Sequence, residues 1–190
     1  KDFDYSELLC GQGLQMLLYL FAIERAKGGH IAAGRTPAGV LYVPGRIDME
    51  RLEPGGSTEE LEKVRQKSLV RKGLLLQDEA VLQAMEPGDS PKFLPYQLKK
   101  GELTGSLATR EQFRLLERFV SKSLQEQALQ IFSGAVAPNP IVRGPSASSC
   151  QYCDFQSACH FDACPVQERW RKKVKAEEFW AELERRREHG

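Results

Sequence analysis

Apolar residues recur every three or four positions at Phe113, Leu116, Val120, Leu124, Ala128 and Ile131, the spacing of one helical face. Thr109 and Gln112 have the form of a capping box at its start and Gly134 stops it, so a helix is predicted over 109–133. A second apolar stretch runs through Leu8, Leu9, Leu14, Leu17, Leu18 and Phe21, with Asp4 or Ser6 as cap and Lys27-Gly28-Gly29 as stop. It predicts a helix over 6–26, apolar almost all round and therefore central. Gly11 and Gly13 inside it each weaken a helix by roughly 1 kcal/mol relative to Ala, which implies that something packs close to them.

Strands are shorter. Ala38 to Val43 follows Pro37 and reads as a buried strand, and Leu74-Leu75-Leu76 reads as another. Between them, Ser57-Thr58-Glu59-Glu60 opens a helix expected to end at Gly73, and Asp78 caps a brief helix carrying Val81, Leu82 and Met85. The segment 86–106 holds three prolines and reads as loop, with a small hairpin in which Phe93 to Leu98 and Glu102-Leu103 flank Lys99-Lys100-Gly101. Pro95 confines that hairpin to an edge. After the linkers Pro138-Asn139-Pro140 and Gly144 to Ser149, a last helix following Pro165 is predicted to carry Val166, Trp170, Val174, Phe179 and Leu183 inward. Helices interspersed with a few strands make the fold class α/β, helix-rich with a small mixed sheet.

Composition narrows the function. Of 190 residues, 41% are hydrophobic and 28% charged, the balance of an ordinary soluble globular protein. Net charge is +1, so no global field draws the chain to nucleic acid, and any contact with it must be local. Arg169, Arg171, Lys172, Lys173 and Lys175 form one such cluster, but six acidic residues share the predicted last helix and favour a solvated, salt-bridged face. The longest apolar run, Leu14 to Ile23, is about half of what a bilayer core requires, so no membrane span is expected. The start, Lys1-Asp2-Phe3-Asp4, has neither an initiator Met nor the character of a signal peptide, which predicts a chain that begins inside a longer one.

Five cysteines are present, with Cys10 alone and Cys150, Cys153, Cys159 and Cys164 close together. An odd count without a secretion signal points away from disulfides and toward metal binding in a reducing cytoplasm. Cys150-x2-Cys153-x5-Cys159 can fold around one soft metal centre, a tight turn bringing in the first pair and a longer loop the third. Cys164 would complete a four-cysteine zinc site within the segment, and His160 is also a potential ligand. Spacing alone does not separate zinc from iron. A stand-alone zinc-binding interaction domain and a helical scaffold with structural cysteines therefore stay open as readings of the residues.

The segment Cys150-Gln-Tyr-Cys153-Asp-Phe-Gln-Ser-Ala-Cys159-His-Phe-Asp162 resembles the C-terminal iron-sulfur motif of the AddB family of helicase-nuclease subunits. Gly11-Gln12-Gly13-Leu14-Gln15-Met16-Leu17-Leu18-Tyr19 is similar to the Gln-x3-Tyr motif of RecB-like nucleases in the PD-(D/E)xK superfamily. Val40-Leu41-Tyr42-Val43-Pro44 and Lys72-Gly73-Leu74-Leu75-Leu76 extend the likeness, which runs from residue 1 to about 163. Gln15 and Tyr19, four apart, share one helical face and can bring an amide and a phenol to the same site.

The resemblance implies a truncated nuclease sandwich. Residues 1–145 would be the later part of the nuclease core, 146–164 the cysteine motif and 165–190 a C-terminal amphipathic helix. It implies Cys150, Cys153 and Cys159 as ligands of a 4Fe-4S cluster whose fourth cysteine lies upstream of this chain, Cys164 not being carried over. Gln15 and Tyr19 would be supporting catalytic residues beside a Mg²⁺ site. The parent would be cytoplasmic, would work with an AddA-type second subunit on double-strand DNA ends, and would couple ATP hydrolysis to unwinding and exonuclease action in recombinational DNA repair. The chain contains no phosphate-binding loop of the Gly-x4-Gly-Lys-Ser/Thr kind, so ATP chemistry is expected elsewhere.

Metal-dependent hydrolysis needs carboxylates that hold Mg²⁺ and a lysine near the attacking water. In the family these come from a Gly-x-x-Asp-Arg-x-Asp-like strand and an Asp-Tyr-Lys strand ahead of the Gln-x3-Tyr helix, and neither occurs here. Gly45-Arg46-Ile47-Asp48 follows that helix and is read as a loop, and Lys1 takes no catalytic role. The isolated chain is expected to be catalytically inactive. With a sheet edge and part of the core uncovered, it is also expected to form homo-oligomers.

Overall fold

A computed structural model describes residues 3–26, 35–45, 57–88, 91–143, 149–159 and 169–188. The helices are α1 (Tyr5–Leu9), α2 (Gln15–Arg25), α3 (Thr58–Ser68), α4 (Glu79–Met85), α5 (Arg110–Phe132), α6 (Gln156–Cys159) and α7 (Ala176–Glu188). The strands are β1 (Gly39–Tyr42), β2 (Lys72–Leu76), β3 (Tyr96–Lys99), β4 (Glu102–Gly105), β5 (Leu107–Ala108), β6 (Ile141–Val142) and β7 (Arg169–Trp170). The α/β class and the small mixed sheet are as the sequence predicts. The chain divides into two compact units, one of residues 1–3 and 15–117, the other of 4–14 and 118–190.

The first unit is built on β2. This strand pairs antiparallel with β1, Val40 opposite Leu74, and parallel with β5, Leu75 opposite Leu107. Leu74, Leu75 and Leu76 are all buried, at 0–2% exposure, as expected for a central strand covered on both faces. Burying three leucines contributes on the order of 2 kcal/mol apiece. Asp78 caps α4, its carboxylate accepting from the Val81 N–H at 3.3 Å and pairing with Arg110 at 3.2 Å. Beside β2, Leu82, Leu94 and Tyr96 join Leu75 in a small apolar cluster at the foot of the β3–β4 hairpin. α3 carries the expected capping box between Ser57 and Glu60 but buries none of its residues. It ends at Ser68 rather than near Gly73, because from Lys72 onward the backbone is taken up in the ladder with β1.

The second unit closes the last helix onto the first. Tyr5 of α1 packs on Phe179 and Trp180 of α7, with ring centroids 4.9 and 6.1 Å apart, and Phe119 meets Phe179 edge-on at 6.2 Å. Burial pushes the Tyr5 phenol up to about 12, with Glu177 adding to the shift. Ser6, 3% exposed, accepts the Val174 N–H at 2.9 Å, so its hydroxyl is satisfied. Arg171 bridges Asp4 and Glu7 at 3.2 Å each, and Arg143 reaches Glu7 at 3.2 Å.

Three expectations need correcting. The helix read over 6–26 is two helices, because Gly11 and Gly13 take left-handed φ of +75° and +68° and end α1 before α2 begins. Nor is α2 buried all round: Leu17 and Phe21 are buried while Tyr19 and Ile23 are half exposed. The last helix starts at Ala176, not after Pro165. Trp170 belongs instead to β7, which pairs parallel with β6, Val142 opposite Trp170. Residues 165–168 lie outside those described.

Candidate functional site

The polar pair singled out in the sequence sits on α2. Spacing of four brings Gln15 and Tyr19 onto one face, and the Gln15 Nε2–H donates to the Tyr19 hydroxyl at 2.9 Å. Leu17 and Phe21 anchor the opposite stripe at 1% and 5% exposure, while Tyr19 is 50% exposed. The buried stripe fixes the rotation of the helix, and that rotation presents the amide and phenol to solvent. Met16 and Ile23 on the same helix are exposed as well. The phenol oxygen accepts from the amide, so its own O–H and the second amide N–H remain able to donate to an anionic oxygen.

Farther along α2 a cleft of about 100 Å³ is floored by Phe21, Leu76 and Phe113 and rimmed by Glu24, Arg110 and Arg114. Arg25 ties α2 to α5 through Glu117 at 2.7 Å. Burial raises the Glu24 carboxyl above its ordinary range, Glu117 adds to the rise, and Arg25 and Arg114 offset part of it. At the start of α5 the balance is reversed: hydrogen bonds from the Val81 N–H and Arg110 hold Asp78 below the usual carboxylate range. Sequence reasoning missed this cluster, since Arg25 and Glu117 lie 92 residues apart with no local pattern joining them. The Arg171 clamp was likewise hidden in a basic run.

Cys150, Cys153 and Cys159 lie on short helical turns. Cys150 belongs to a single 3₁₀ turn, Ser149–Tyr152, its carbonyl accepting from the Cys153 N–H at 3.2 Å, and Cys159 ends α6. None of the three is in a disulfide; Cys150 is partly buried and the other two are exposed. Tyr152 and Phe155 beside them are 89% and 74% exposed. The donor chemistry suits a soft metal, but the arrangement does not yet fit one: among the described residues no three of His, Cys, Asp and Glu gather as a metal-holding group. Cys164, His160, Asp162 and Arg46 to Asp48 lie outside the described residues. Cys10, at the end of α1, is partly buried.

Comparison with known proteins identifies the family of the chain. The family model described as the PD-(D/E)XK nuclease superfamily matches residues 4–160. The B subunit of the ATP-dependent helicase/deoxyribonuclease of Acetivibrio thermocellus is 34% identical over 169 residues, 85% of this chain and 14% of that protein. The subunit of the same name from Clostridium novyi is 34% identical over 187 residues, 95% of this chain and 16% of its own length. That from Listeria innocua is 33% identical over 177 residues, 90% and 15% respectively. The chain thus spans about one-sixth or less of these curated relatives.

Proposed function

Because the chain belongs to the PD-(D/E)XK nuclease superfamily, we propose that it is the later part of the nuclease domain in the B subunit of an ATP-dependent helicase-exonuclease. The whole protein would process double-strand DNA ends for recombinational repair in the cytoplasm, together with a second, AddA-type subunit that shares the ATP-driven work. The observation that carries this reading is the exposed Gln15–Tyr19 pair on a helix anchored by Leu17 and Phe21, within a family match over 4–160. No helix among the described residues is long and apolar enough to cross a membrane.

In this reading Gln15 and Tyr19 position the DNA. Their mutual hydrogen bond fixes both groups, and the donors left over, the phenol O–H and an amide N–H, hold a phosphate oxygen in register. Mg²⁺, held by carboxylates outside these 190 residues, would supply the activated water. The chain alone then binds and orients without hydrolysing. Its β1 edge, which has only β2 as a strand neighbour among the described residues, favours pairing with another copy when the chain is studied by itself.

Cys150, Cys153 and Cys159 are proposed as three ligands of a 4Fe-4S cluster, completed by a fourth cysteine elsewhere in the protein. Support comes from thiolate chemistry and spacing; the thiols would have to draw together on binding. Iron with sulfide in the anaerobically purified subunit is the expected analysis, lost in Cys150→Ser; zinc at one per chain would overturn it.

The main test is made in the complete two-subunit enzyme. Tyr19→Phe together with Gln15→Ala should lower nuclease kcat/KM at least tenfold, about 1.4 kcal/mol of transition-state stabilisation, with ATP hydrolysis retained. Wild-type nuclease activity in that variant would sink the assignment, and Mg²⁺-dependent DNA degradation by the 190-residue chain would sink the inactivity.

A further inference from the structure

The β3–β4 hairpin carries a backbone oddity. Its register, Tyr96 opposite Gly105 and Lys99 opposite Glu102, leaves Lys100 and Gly101 as a two-residue loop. Their φ values are 52° and 82°, the pattern of a type I′ turn, which requires a left-handed backbone at both central positions. Gly fills the second place without penalty. The first usually goes to Asn, Asp or Gly, because an ordinary L side chain loses roughly tenfold in population on entering this region. Lys100 is the one non-glycine residue with such a φ among those described.

Nothing in the fold requires a lysine there. A Cβ built on the neighbouring Gly101 meets nothing within 4 Å, and Gln97 to Glu102 are all exposed. No ion pair or side-chain hydrogen bond holds the Lys100 ammonium among the described residues, and Lys99, which faces Glu102 in the register, makes no ion pair with it either. The base, by contrast, is firmly rooted. The Glu86 carboxylate accepts the N–H groups of Lys92, Phe93 and Leu94 at 2.7, 3.2 and 3.1 Å. The Ser106 N–H donates to the Pro95 carbonyl at 2.9 Å and the Ser106 hydroxyl to the Gly73 carbonyl, while Leu94 and Tyr96 are buried. A rigid arm therefore holds one uncompensated positive charge away from the core, at a position whose backbone would suit a neutral residue better.

A left-handed backbone at a lysine with no packing return points to a role outside the fold. We propose that the β3–β4 hairpin is a DNA-backbone arm and that Lys100 contacts a phosphodiester. The contact is sequence-independent, since an ammonium at a hairpin tip offers a point charge to phosphate and no paired donors for reading a base edge. It rests on the reading that this chain handles DNA, and it adds a contact outside the Gln15–Tyr19 helix.

The signature is a pair of opposite effects from one substitution. In the complete two-subunit enzyme, Lys100→Asn should leave thermal stability equal or higher, because Asn suits the turn. The same change should weaken binding to blunt-ended duplex DNA several-fold at about 0.1 M salt and flatten the plot of log Kd against log salt by about one. Lys100→Arg should keep the slope. Wild-type affinity and slope in Lys100→Asn would overturn the arm, and so would an unchanged slope with weakened association between the two subunits, which would assign Lys100 to a protein contact. If the unsubstituted enzyme binds no DNA at all, it is the nuclease reading that fails.

Discussion

Two regions carry the chemistry legible in this chain, and they fold in different ways. The Gln15–Tyr19 face is delivered by the backbone alone: spacing of four on α2 places the two side chains together, and the buried Leu17 and Phe21 set which way they face. The cysteine stretch has an equally telling spacing, yet its thiols sit on single turns flanked by exposed Tyr152 and Phe155. Helical spacing is a geometric instruction that peptide hydrogen bonds carry out unaided. In the proposed cluster the cysteine spacing would be an instruction addressed to a metal, and the bound metal would supply the energy that gathers the thiols.

The sharpest break in that comparison comes from truncating each region in turn. Leu17→Ala removes a side chain only 1% exposed and should destabilise the first unit by about 2–5 kcal/mol, read from urea unfolding followed at an α2 amide. Cys153→Ser in the metal-free chain removes an exposed thiol and should change stability by about 0.5 kcal/mol or less. A comparable loss at both positions would mean that the cysteine stretch is packed as firmly as α2, and the contrast between the two regions would disappear.

A smaller effect separates the second unit's own closure from any metal. Arg171 is 20% exposed in its side chain and bridges Asp4 and Glu7, which tie the segment before α7 to α1. Arg171→Met keeps the stem but removes the guanidinium shared by Asp4 and Glu7, leaving Asp4 the Ser6 N–H and Glu7 the Arg143 side chain, at a cost of about 2 kcal/mol for charged hydrogen bonds partly removed from water. Exchange of the Val174 amide, which donates to Ser6, should rise in this variant and stay protected in Cys159→Ser. The reverse ranking would make the cysteines, rather than the ion pairs, the closure of the unit.

How much of this is legible in the sequence follows the same division. The helix over 109–133 is found as α5, Arg110–Phe132, because its capping box, single seam and terminal Gly134 are all local; Thr109 and Gln112 exchange their hydrogen bonds at 2.8 and 3.2 Å. The continuous 6–26 helix fails at Gly11 and Gly13, whose left-handed backbone breaks it, while the close packing expected at both is present: a Cβ on Gly11 would meet the Gln127 Nε2 at 2.7 Å and one on Gly13 the Glu7 Oε2 at 3.3 Å. Trp170 misleads because an apolar residue that fits a helical spacing fits a strand as well, and β6 supplies the pairing partner, while Val174 lies in the irregular segment between β7 and α7. The ion pairs from Arg171 and Arg25 have no local pattern at all: each joins residues far apart in the chain, and only the folded backbone brings them together.

The smallest predicted effect belongs to Glu24, on the same helix as the polar pair but facing the cleft. Its carboxyl is raised by burial first and by Glu117 second, so the folded state holds its proton more tightly than the unfolded chain does. By linkage, ionised Glu24 opposes folding above its folded pKa, and the opposition fades as pH falls through that value toward the ordinary carboxylate range. Glu24→Gln should therefore raise the unfolding midpoint slightly at neutral pH, by an amount within about 0.5 kcal/mol for a surface position. The gain should vanish at pH values below both the folded and unfolded pKa, where the wild-type carboxyl is already neutral. A loss at neutral pH would show that attraction to Arg25 and Arg114 outweighs burial and Glu117, and that the rim of the cleft favours a charged carboxylate, whereas a gain that persists at low pH would trace to the amide itself and not to the removed charge.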